Sequence, residues 1–406
     1  MNKIISSIFL LLSITTFAQT EDVVATAGGV NDVYYDFETQ SKAAVARSTW
    51  DIGLTTDPQG ASIIINENGG TELYLFGADT SKWSTLDTTG MKWTKIYNSE
   101  TTWASGAFAN QGTNHPDYGW GVYNSTSHDI VGNRIFILKN TLGELWKVMV
   151  PAMKANGDFA VRMAKISGSS EMTYTFNKMA FKNKHFHLIT VNNASAPIST
   201  NPNKKDWDLL FTKYITFVQA GPNSRYQPVA GVKVNVGCEV AQRDGIATSS
   251  DDTASLSWSS TITEIGWDWK TFDMASTSYL MVPDRTYFIR TANGAVWKLW
   301  FTDFTVGTAN FSFNTKLIRE SASTKNMVQL KTQVYPNPAS NALTIRNNEN
   351  ESLTATLINA QGSVILTDNL SAFTAKTIPT SDFAKGIYFL QLSTSTTSNT
   401  QRVIFE

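Results

Sequence analysis

The chain has 406 residues, of which 42% are hydrophobic, so it is long enough for two or three domains with apolar cores. Its formal net charge of −1 excludes a sequence-wide basic field for binding nucleic acid or anionic lipid. A single cysteine, Cys238, excludes an intramolecular disulfide and a paired-cysteine zinc or redox site.

The first 19 residues predict a removable export signal. Lys3 supplies a positive charge, an apolar run follows from Ile4 to Ile14, and small residues before Gln19 offer a cleavage site. The apolar run is too short to span a bilayer, and no second run of this kind follows. We therefore expect a signal peptide over residues 1–19, a mature chain that begins at Gln19 or Thr20, and no membrane span.

Four motifs occur twice in the middle of the chain, in the same order. The pairs are Trp-Asp at 50 and 207, Gly-Trp at 119 and 266, an apolar triplet at 135 and 287, and Gly-x-x-Trp-Lys at 143 and 294. Each pair is separated by about 150 residues, which is the size of a domain rather than of a solenoid repeat. The sequence therefore predicts a tandem duplication, with one repeat over residues 22–178 and the other over residues 181–319.

Both repeats are predicted to be all-β. Apolar residues dominate Ile135–Leu138 and Leu145–Val150, and the glycine between these segments indicates a hairpin. Side chains alternate along a strand, so the Trp-Lys pair of each hairpin should place Trp and Lys on opposite faces. No helical period extends beyond two turns in the repeats. The predicted fold class is all-β: two tandem duplicated antiparallel β domains followed by a small Ig-like β-sandwich.

The second repeat carries the fuller set of motifs. Trp207–Tyr214 opens it, Gly231–Asn235 follows as a strand, and Tyr287–Phe304 closes it with a hairpin that ends in Thr-Asp-Phe. These motifs resemble the HmuY-like family of bacterial haem-binding proteins over roughly residues 30–318. The first repeat departs from the pattern, since Val150–Met153 stands in place of the Thr-Asp-Phe ending. The resemblance implies one family unit per repeat and capture of haem as the function.

The same resemblance implies that the axial ligands of haem lie around the Gly-Trp segment. Haem iron takes His, Met, Cys or Tyr as axial ligands, and His115 and His128 flank Trp120 in the first repeat. In the second repeat the nearest candidate is Met274, which follows Trp267. The alternative interpretation is that both histidines are solvated loop residues, because their neighbours are turn formers, and that Met274 is a plain core or loop residue.

A second pair of histidines, His185 and His187, opens the second repeat. Residues two apart on a strand face the same way, so the pair can hold zinc or copper if a third ligand joins it. The pair occupies the places of Val33 and Tyr35 in the first repeat. This equivalence favours a structural strand over a metal site.

We expect a binding protein rather than an enzyme. The sequence contains no nucleophile elbow, no zinc-protease helix motif and no glycine-rich phosphate loop. Two alternatives to haem capture remain open: a carbohydrate-binding protein that stacks sugars on exposed Trp, and a structural or adhesion protein without a small ligand. The candidate sugar platforms are Trp83, Trp93, Trp103 and Trp269.

The end of the chain has a pattern of its own. Val334–Pro338 contains Tyr-Pro-Asn-Pro, Asn359–Gly362 predicts a turn, and Gly386–Phe389 predicts a strand. Alternating apolar residues between such turns predict a small β-sandwich. The three motifs, in this order and spacing, resemble the type A sorting domain of type IX secretion cargo. The resemblance covers residues 333–406, after a linker at 320–332, and implies export by the type IX machinery to the medium or the outer cell surface.

Overall fold

The computed structural model describes residues 20–195, 200–321, 330–394 and 398–406. The predicted signal peptide lies outside these residues, as does most of the predicted linker. The chain divides into two compact units, a body that ends at Glu320 and a C-terminal domain that begins at Ser321. Strands dominate both units, which confirms the all-β prediction.

The described part of the body consists of antiparallel strands and short 3-10 helices. The strands are β1 (Thr20–Ala25), β2 (Asn31–Tyr35), β3 (Lys42–Ala46), β4 (Ile52–Thr55), β5 (Ile63–Ile65), β6 (Glu72–Gly77), β7 (Lys95–Ile96), β8 (Gly121–Tyr123), β9 (Ile130–Gly132), β10 (Ile135–Lys139), β11 (Leu145–Met153), β12 (Asp158–Lys165), β13 (Met172–Asn177), β14 (Phe186–Ile189), β15 (Leu209–Val218), β16 (Arg225–Val234), β17 (Glu239–Arg243), β18 (Lys270–Asp273), β19 (Ser278–Met281), β20 (Thr286–Arg290), β21 (Val296–Thr305) and β22 (Asn310–Arg319). The 3-10 helices are Arg47–Thr49, Glu67–Gly69, Thr80–Thr85, Ala107–Ala109, Lys178–Phe181 and Gly221–Asn223.

These strands build two sandwiches, each with its own apolar core. In the first sandwich the sheet β13-β12-β11-β10-β6-β7, with β8 and β9 attached at β11, packs on the sheet β14-β4-β5. In the second sandwich the sheet β1-β22-β21-β20-β17 packs on the sheet β16-β15-β2-β3. Large aromatic side chains fill both cores, for example Trp120 and Phe159 in the first and Tyr35 and Phe211 in the second.

The second sandwich joins the start of the described chain to the end of the body. β1 pairs with β22 and β2 pairs with β15, so residues 20–46 complete a core that is otherwise built from residues 209–319. In the first sandwich β14, which opens the second repeat, pairs with β4. β4 and β15 are the strands that follow the two Trp-Asp motifs. One early strand of each repeat, β2 in the first and β14 in the second, therefore pairs with the Trp-Asp strand of the other repeat, an exchange that the sequence analysis did not predict.

The aspartate of the first motif holds one exchanged strand in place. The backbone N–H of Asp51 donates to the carbonyl oxygen of Ile189 over 2.9 Å. The Asp51 carboxylate accepts the N–H of Val191 over 3.0 Å and that of Thr141 over 2.8 Å. Asp51 is 1% exposed, so these hydrogen bonds satisfy groups that water does not reach.

The aspartate of the second motif does the same for the other exchanged strand. The N–H of Asp208 donates to the carbonyl oxygen of Tyr35 over 2.7 Å, and its carboxylate accepts the N–H of Phe37 over 3.0 Å. Burial raises the pKa of Asp208 to about 6, and the negative charge of Asp36 adds to the rise. The same pair of hydrogen bonds at both junctions explains why the Trp-Asp motif occurs twice.

Two asparagines at equivalent positions, Asn66 and Asn235, donate hydrogen bonds to the residues of these motifs. In both cases the backbone N–H donates over 2.9 Å to the carbonyl oxygen of the motif aspartate. The side-chain amide donates to the carbonyl oxygen of the motif tryptophan, over 2.7 Å from Asn66 and over 2.6 Å from Asn235. The duplication therefore extends to a hydrogen-bonded unit of Trp, Asp and Asn.

The hairpin Trp-Lys pairs follow the predicted alternation. Trp146 lies in the first core, whereas the Lys147 ammonium donates to a backbone carbonyl over 2.7 Å. Trp297 packs against the second core, whereas the Lys298 ammonium donates to a backbone carbonyl over 2.8 Å. Both lysines are buried, so the sheet face opposite the core is also covered by protein.

The C-terminal domain is a small sandwich of two sheets. Its strands are β23 (Thr332–Tyr335), β24 (Ala342–Asn347), β25 (Leu353–Asn359), β26 (Val364–Leu370), β27 (Ala375–Pro379), β28 (Gly386–Ser393) and β29 (Ser398–Phe405). The sheet β23-β24-β27 and the sheet β26-β25-β28-β29 enclose a core that includes Leu343, Leu357 and Leu390. The strands and turns lie where the motifs predicted them.

Because the carboxylates of the Trp-Asp motifs hold the exchanged strands, we expect the loss of one carboxylate to destabilise the fold strongly. We expect Asp51→Ala to lower the free energy of unfolding by about 2–5 kcal/mol, because two buried N–H groups lose their acceptor. Urea unfolding followed by tryptophan fluorescence measures this loss. Asp303→Ala removes an exposed carboxylate from β21 and serves as the control. A loss below about 0.5 kcal/mol for Asp51→Ala would show that the carboxylate does not hold the exchanged strand.

Candidate functional site

The alternation of side chains along β16 places Lys233 on the face opposite the second core. Val232 and Val234 lie in that core, so Lys233 between them faces the opposite side of the sheet. In an isolated sandwich this side would meet water. In the body it lies across a small gap from Ile64 and Leu188 of the first sandwich.

We name this gap the junction pocket. Its volume is about 70 Å³, which at about 30 Å³ per molecule is room for two or three waters. The tryptophans of both Trp-Asp motifs line it, so the two repeats contribute equivalent residues to one pocket. Its lining includes the indole rings of Trp50, Trp103 and Trp207 and the polar side chains of Glu67, Asn68 and Lys233.

Lys233 is the buried cation of the junction pocket, with 6% of its surface exposed. Its ammonium nitrogen lies 4.8 Å from the ring centroid of Tyr214 and 5.5 Å from that of Trp103. It has no hydrogen-bond acceptor and no ion-pair partner in the part of the chain that the structure describes. Burial lowers the pKa of Lys233, and the negative charge of Glu67 opposes this shift. The two rings offset part of the desolvation cost, by roughly 2 kcal/mol.

The other buried lysines show that a buried ammonium group in this fold usually has a hydrogen-bond acceptor. Four more lysines are buried, and the ammonium of each donates to a backbone carbonyl oxygen. The bonds run from Lys147 to Trp83 over 2.7 Å, from Lys178 to Gly60 over 2.9 Å, from Lys270 to Ala230 over 2.6 Å and from Lys298 to Ser250 over 2.8 Å. Lys233 is the exception among the described residues: it lines the junction pocket, and its ammonium has no hydrogen-bond acceptor there.

The buried carboxylate that lines the pocket, that of Asp32, already has partners of its own. Asp32 accepts from the Arg47 Nε–H over 2.7 Å and from the Thr212 hydroxyl over 2.6 Å. Asn68 donates its amide to the Thr212 hydroxyl oxygen over 3.0 Å. The Oδ1 atom of Asn68 is buried and has no hydrogen-bond partner among the described residues. The pocket therefore also presents an unused acceptor.

Glu67 adds a carboxylate to the rim of the pocket. It accepts the backbone N–H of Asn98 over 3.2 Å and forms no ion pair with Lys233 within the described residues. Burial raises the pKa of Glu67, and the positive charge of Lys233 opposes the rise. A cation and a carboxylate thus face the same small space without touching.

A second constellation, the histidine cluster, lies on the surface of the first sandwich. It consists of His115, Tyr123 and His128. The Tyr123 ring centroid is 5.3 Å from that of His115 and 6.0 Å from that of His128, and the Tyr123 hydroxyl oxygen is 2.6 Å from His128 Nδ1. Both histidines are exposed. The structure therefore brings the two predicted residues against one phenol, which the sequence analysis missed.

A cleft of about 570 Å³ opens beside His115, within the size range of small-molecule sites. Tyr118 and Asp117 line it together with small and polar residues. The Arg134 guanidinium lies 2.8 Å from the Asp117 carboxylate and holds the pKa of Asp117 at about 2. The donor set of the histidine cluster fits haem iron, and the cleft has the size for a flat ligand, with polar and apolar groups in about equal parts of its lining.

The structure separates His185 from His187. The His187 ring is 2% exposed, and its Nε2 atom is 2.8 Å from the Tyr174 hydroxyl. The Nε2 atom of His185 is 2.6 Å from Asn235 Oδ1, beside the second Trp-Asp motif. Burial lowers the pKa of both histidines to about 4. No group of three His, Cys, Asp or Glu side chains in the described chain is arranged to hold a metal ion.

The remaining candidates lie at scattered places. Met274 is 81% exposed, between β18 and β19. Trp83 and Trp269 are buried, and Trp103 lines the junction pocket. Trp93 is exposed and packs edge-on against Tyr74. Of the four tryptophans considered as sugar platforms, one is therefore open to solvent.

Comparison with known proteins identifies the C-terminal domain. Residues 333–406 match the family described as "Secretion system C-terminal sorting domain", with the bounds predicted from the motifs. This domain directs the protein through the type IX secretion machinery to the cell surface or the medium. No curated protein matches the chain. Within the described residues, no helix has the length and apolar character needed to cross a membrane.

The buried histidines predict a loss of stability in acid. His187 has a pKa of about 4 in the folded chain and an ordinary value of 6.5, so between these values the unfolded chain binds more protons. The free energy of unfolding should then fall by about 2 kcal/mol through this residue as the pH drops from 6.5 to 4. His187→Gln should reduce the fall in urea titrations at pH 7 and pH 4.5. His128→Gln, at an exposed ring, is the control, and equal losses in all three proteins would contradict the prediction.

The sorting domain predicts a simple secretion phenotype. In a host with a type IX system, a chain that stops at Glu320 should stay in the periplasm, because the signal peptide carries it only across the inner membrane. Immunoblots of the periplasmic and extracellular fractions measure the distribution, with the full chain as the control. Equal amounts of both chains outside the cell would show that the body carries its own outer-membrane signal.

Proposed function

We propose that this protein is a non-enzymatic binding protein that works outside the cell and captures haem at the histidine cluster. Export by the type IX system places the body where haem must be collected. The paired motifs of the body, in their resemblance to the HmuY-like family, favour the same ligand. The contact between Tyr123 and His128 is the observation that carries the proposal.

This contact prepares one imidazole for a metal. A histidine that binds a metal generally donates its second ring N–H to an oxygen, which fixes the tautomer and leaves the other nitrogen with a free lone pair. In the tautomer in which His128 Nδ1–H donates to the Tyr123 oxygen, 2.6 Å away, the Nε2 atom of this exposed ring has the free lone pair. Iron in haem accepts such a nitrogen as an axial ligand.

His115, whose ring centroid lies 5.3 Å from that of Tyr123, would supply a second nitrogen ligand to the iron. His115 also lines the cleft of about 570 Å³, which gives a flat ligand room beside the cluster. Bound haem supplies the iron, and the chain supplies ligation by His115 and His128 and orientation by Tyr123.

A haemin titration of residues 20–406, followed by the Soret band, tests the proposal. We expect a band that is lost in the double variant His115→Ala/His128→Ala. Tyr123→Phe removes the partner of Nδ1 and should weaken binding by about 10-fold or more. His187→Gln changes a buried histidine outside the cluster and should leave the band unchanged. A missing band in the unchanged protein, or a band that survives the double variant, would refute haem capture at this site.

A further inference from the structure

We propose that the junction pocket is a binding site for a small organic carboxylate and that Lys233 is the residue that anchors it. This site is separate from the histidine cluster and does not depend on haem capture. It is built by both repeats, since Trp50 comes from one and Trp207 and Lys233 come from the other.

The unused donors of Lys233 point to an anionic ligand. The fold provides a carbonyl acceptor for each of the other four buried lysines, for example for Lys270 over 2.6 Å and Lys178 over 2.9 Å. For Lys233 it provides only the faces of Tyr214 and Trp103. A carboxylate in the pocket would accept charge-assisted hydrogen bonds from the ammonium and complete the shell that the protein leaves open.

The rest of the pocket limits the size and charge of that anion. A volume of about 70 Å³ limits the ligand to a few non-hydrogen atoms, as in acetate or glycine. The indole rings of Trp50 and Trp207 favour an organic group over a fully hydrated ion. One cation beside the carboxylate of Glu67 disfavours a divalent anion such as sulfate.

A second feature predicts which carboxylates bind best. Asn68 Oδ1 is buried without a partner, and Glu67 brings a carboxylate to the same pocket. A ligand with an N–H or O–H donor next to its carboxylate satisfies these acceptors while Lys233 holds the anion. We therefore expect glycine to bind more tightly than acetate. Glu67, Asn68 and Asn98 are only half-buried, so the pocket has a route to solvent on their side.

Calorimetric titration of residues 20–406 tests the ligand class at constant ionic strength. The probes are sodium acetate, glycine, methylammonium chloride and sodium sulfate. The proposal requires binding of acetate and glycine, and weaker or no binding of the other two. If neither carboxylate binds, or if methylammonium binds in their place, the pocket does not recognise carboxylates and the proposal fails.

Variants test the role assigned to Lys233. Lys233→Met keeps the length of the side chain and should weaken glycine binding by about 10-fold or more, as expected for a charge-assisted hydrogen bond. Lys270→Met removes another buried ammonium, whose acceptors are the carbonyl oxygens of Ala230 and Trp267, and should leave the affinity unchanged. Glu67→Gln should bring the affinity for glycine towards that for acetate. Unchanged binding by Lys233→Met would refute the assignment.

Thermal unfolding without ligand separates anchoring from a structural role. Lys233 forms no hydrogen bond or ion pair within the described residues, so Lys233→Met should unfold at the same or a higher temperature than the unchanged protein. Lys270→Met should unfold at a lower temperature, because two carbonyl oxygens lose their donor. A strong loss of stability in Lys233→Met would show that this lysine serves the fold, which contradicts the proposal.

Discussion

Two buried aspartates determine the architecture of the body. Asp51 and Asp208 each accept a backbone N–H from a residue just after an exchanged strand of the opposite repeat, over 3.0 Å in both cases. Since a buried N–H without an acceptor costs roughly 1–3 kcal/mol, these bonds favour the exchanged pairing over any register that leaves them open. The exchange also brings the outer faces of two sheets together. Residues that an isolated sandwich would show to water, Lys233 among them, thereby become the wall of an internal pocket.

The burial of so many lysines follows from the same geometry. Strand alternation sends one residue in two away from its core, and in a solvent-facing sheet a lysine suits that position. Where a loop covers the sheet, as at Lys298, backbone carbonyls of the loop accept the ammonium protons. At the junction the cover is another sheet, whose backbone groups are already paired within it and whose side chains there are largely apolar. The covering sheet presents aromatic rings and methyl groups but few free acceptors to Lys233, which is why Lys233 differs from Lys298.

Sequence patterns predicted the features that form between residues close together in the chain and missed those that form between distant residues. The C-terminal domain was predicted with its bounds because its motifs lie within 74 residues and describe strands and turns that pair with near neighbours. Trp146 and Lys147 could be placed on opposite faces because alternation is a property of one strand. The pairing of β2 with β15 joins residues about 180 apart, and no local pattern encodes it. Tyr123 stood between the two candidate histidines in the sequence, and its strand position was a signal that could have been used; the burial of Lys233 had no such signal, because another sheet causes it.

The two candidate sites differ in how many repeats they need. The histidine cluster lies on one strand and its flanking loops, all within the first sandwich, and a single repeat contains every residue of it. The junction pocket needs both repeats, since its apolar wall uses the tryptophans of both Trp-Asp motifs and its cation lies on the second sandwich. Those same motifs carry the aspartates that fix the exchanged strands. A ligand that contacts both tryptophans would therefore bind across the exchange itself and stabilise the closed body over any state in which the exchanged strands separate. Ligand binding at the junction pocket, which needs both repeats, would therefore raise the stability of the whole body.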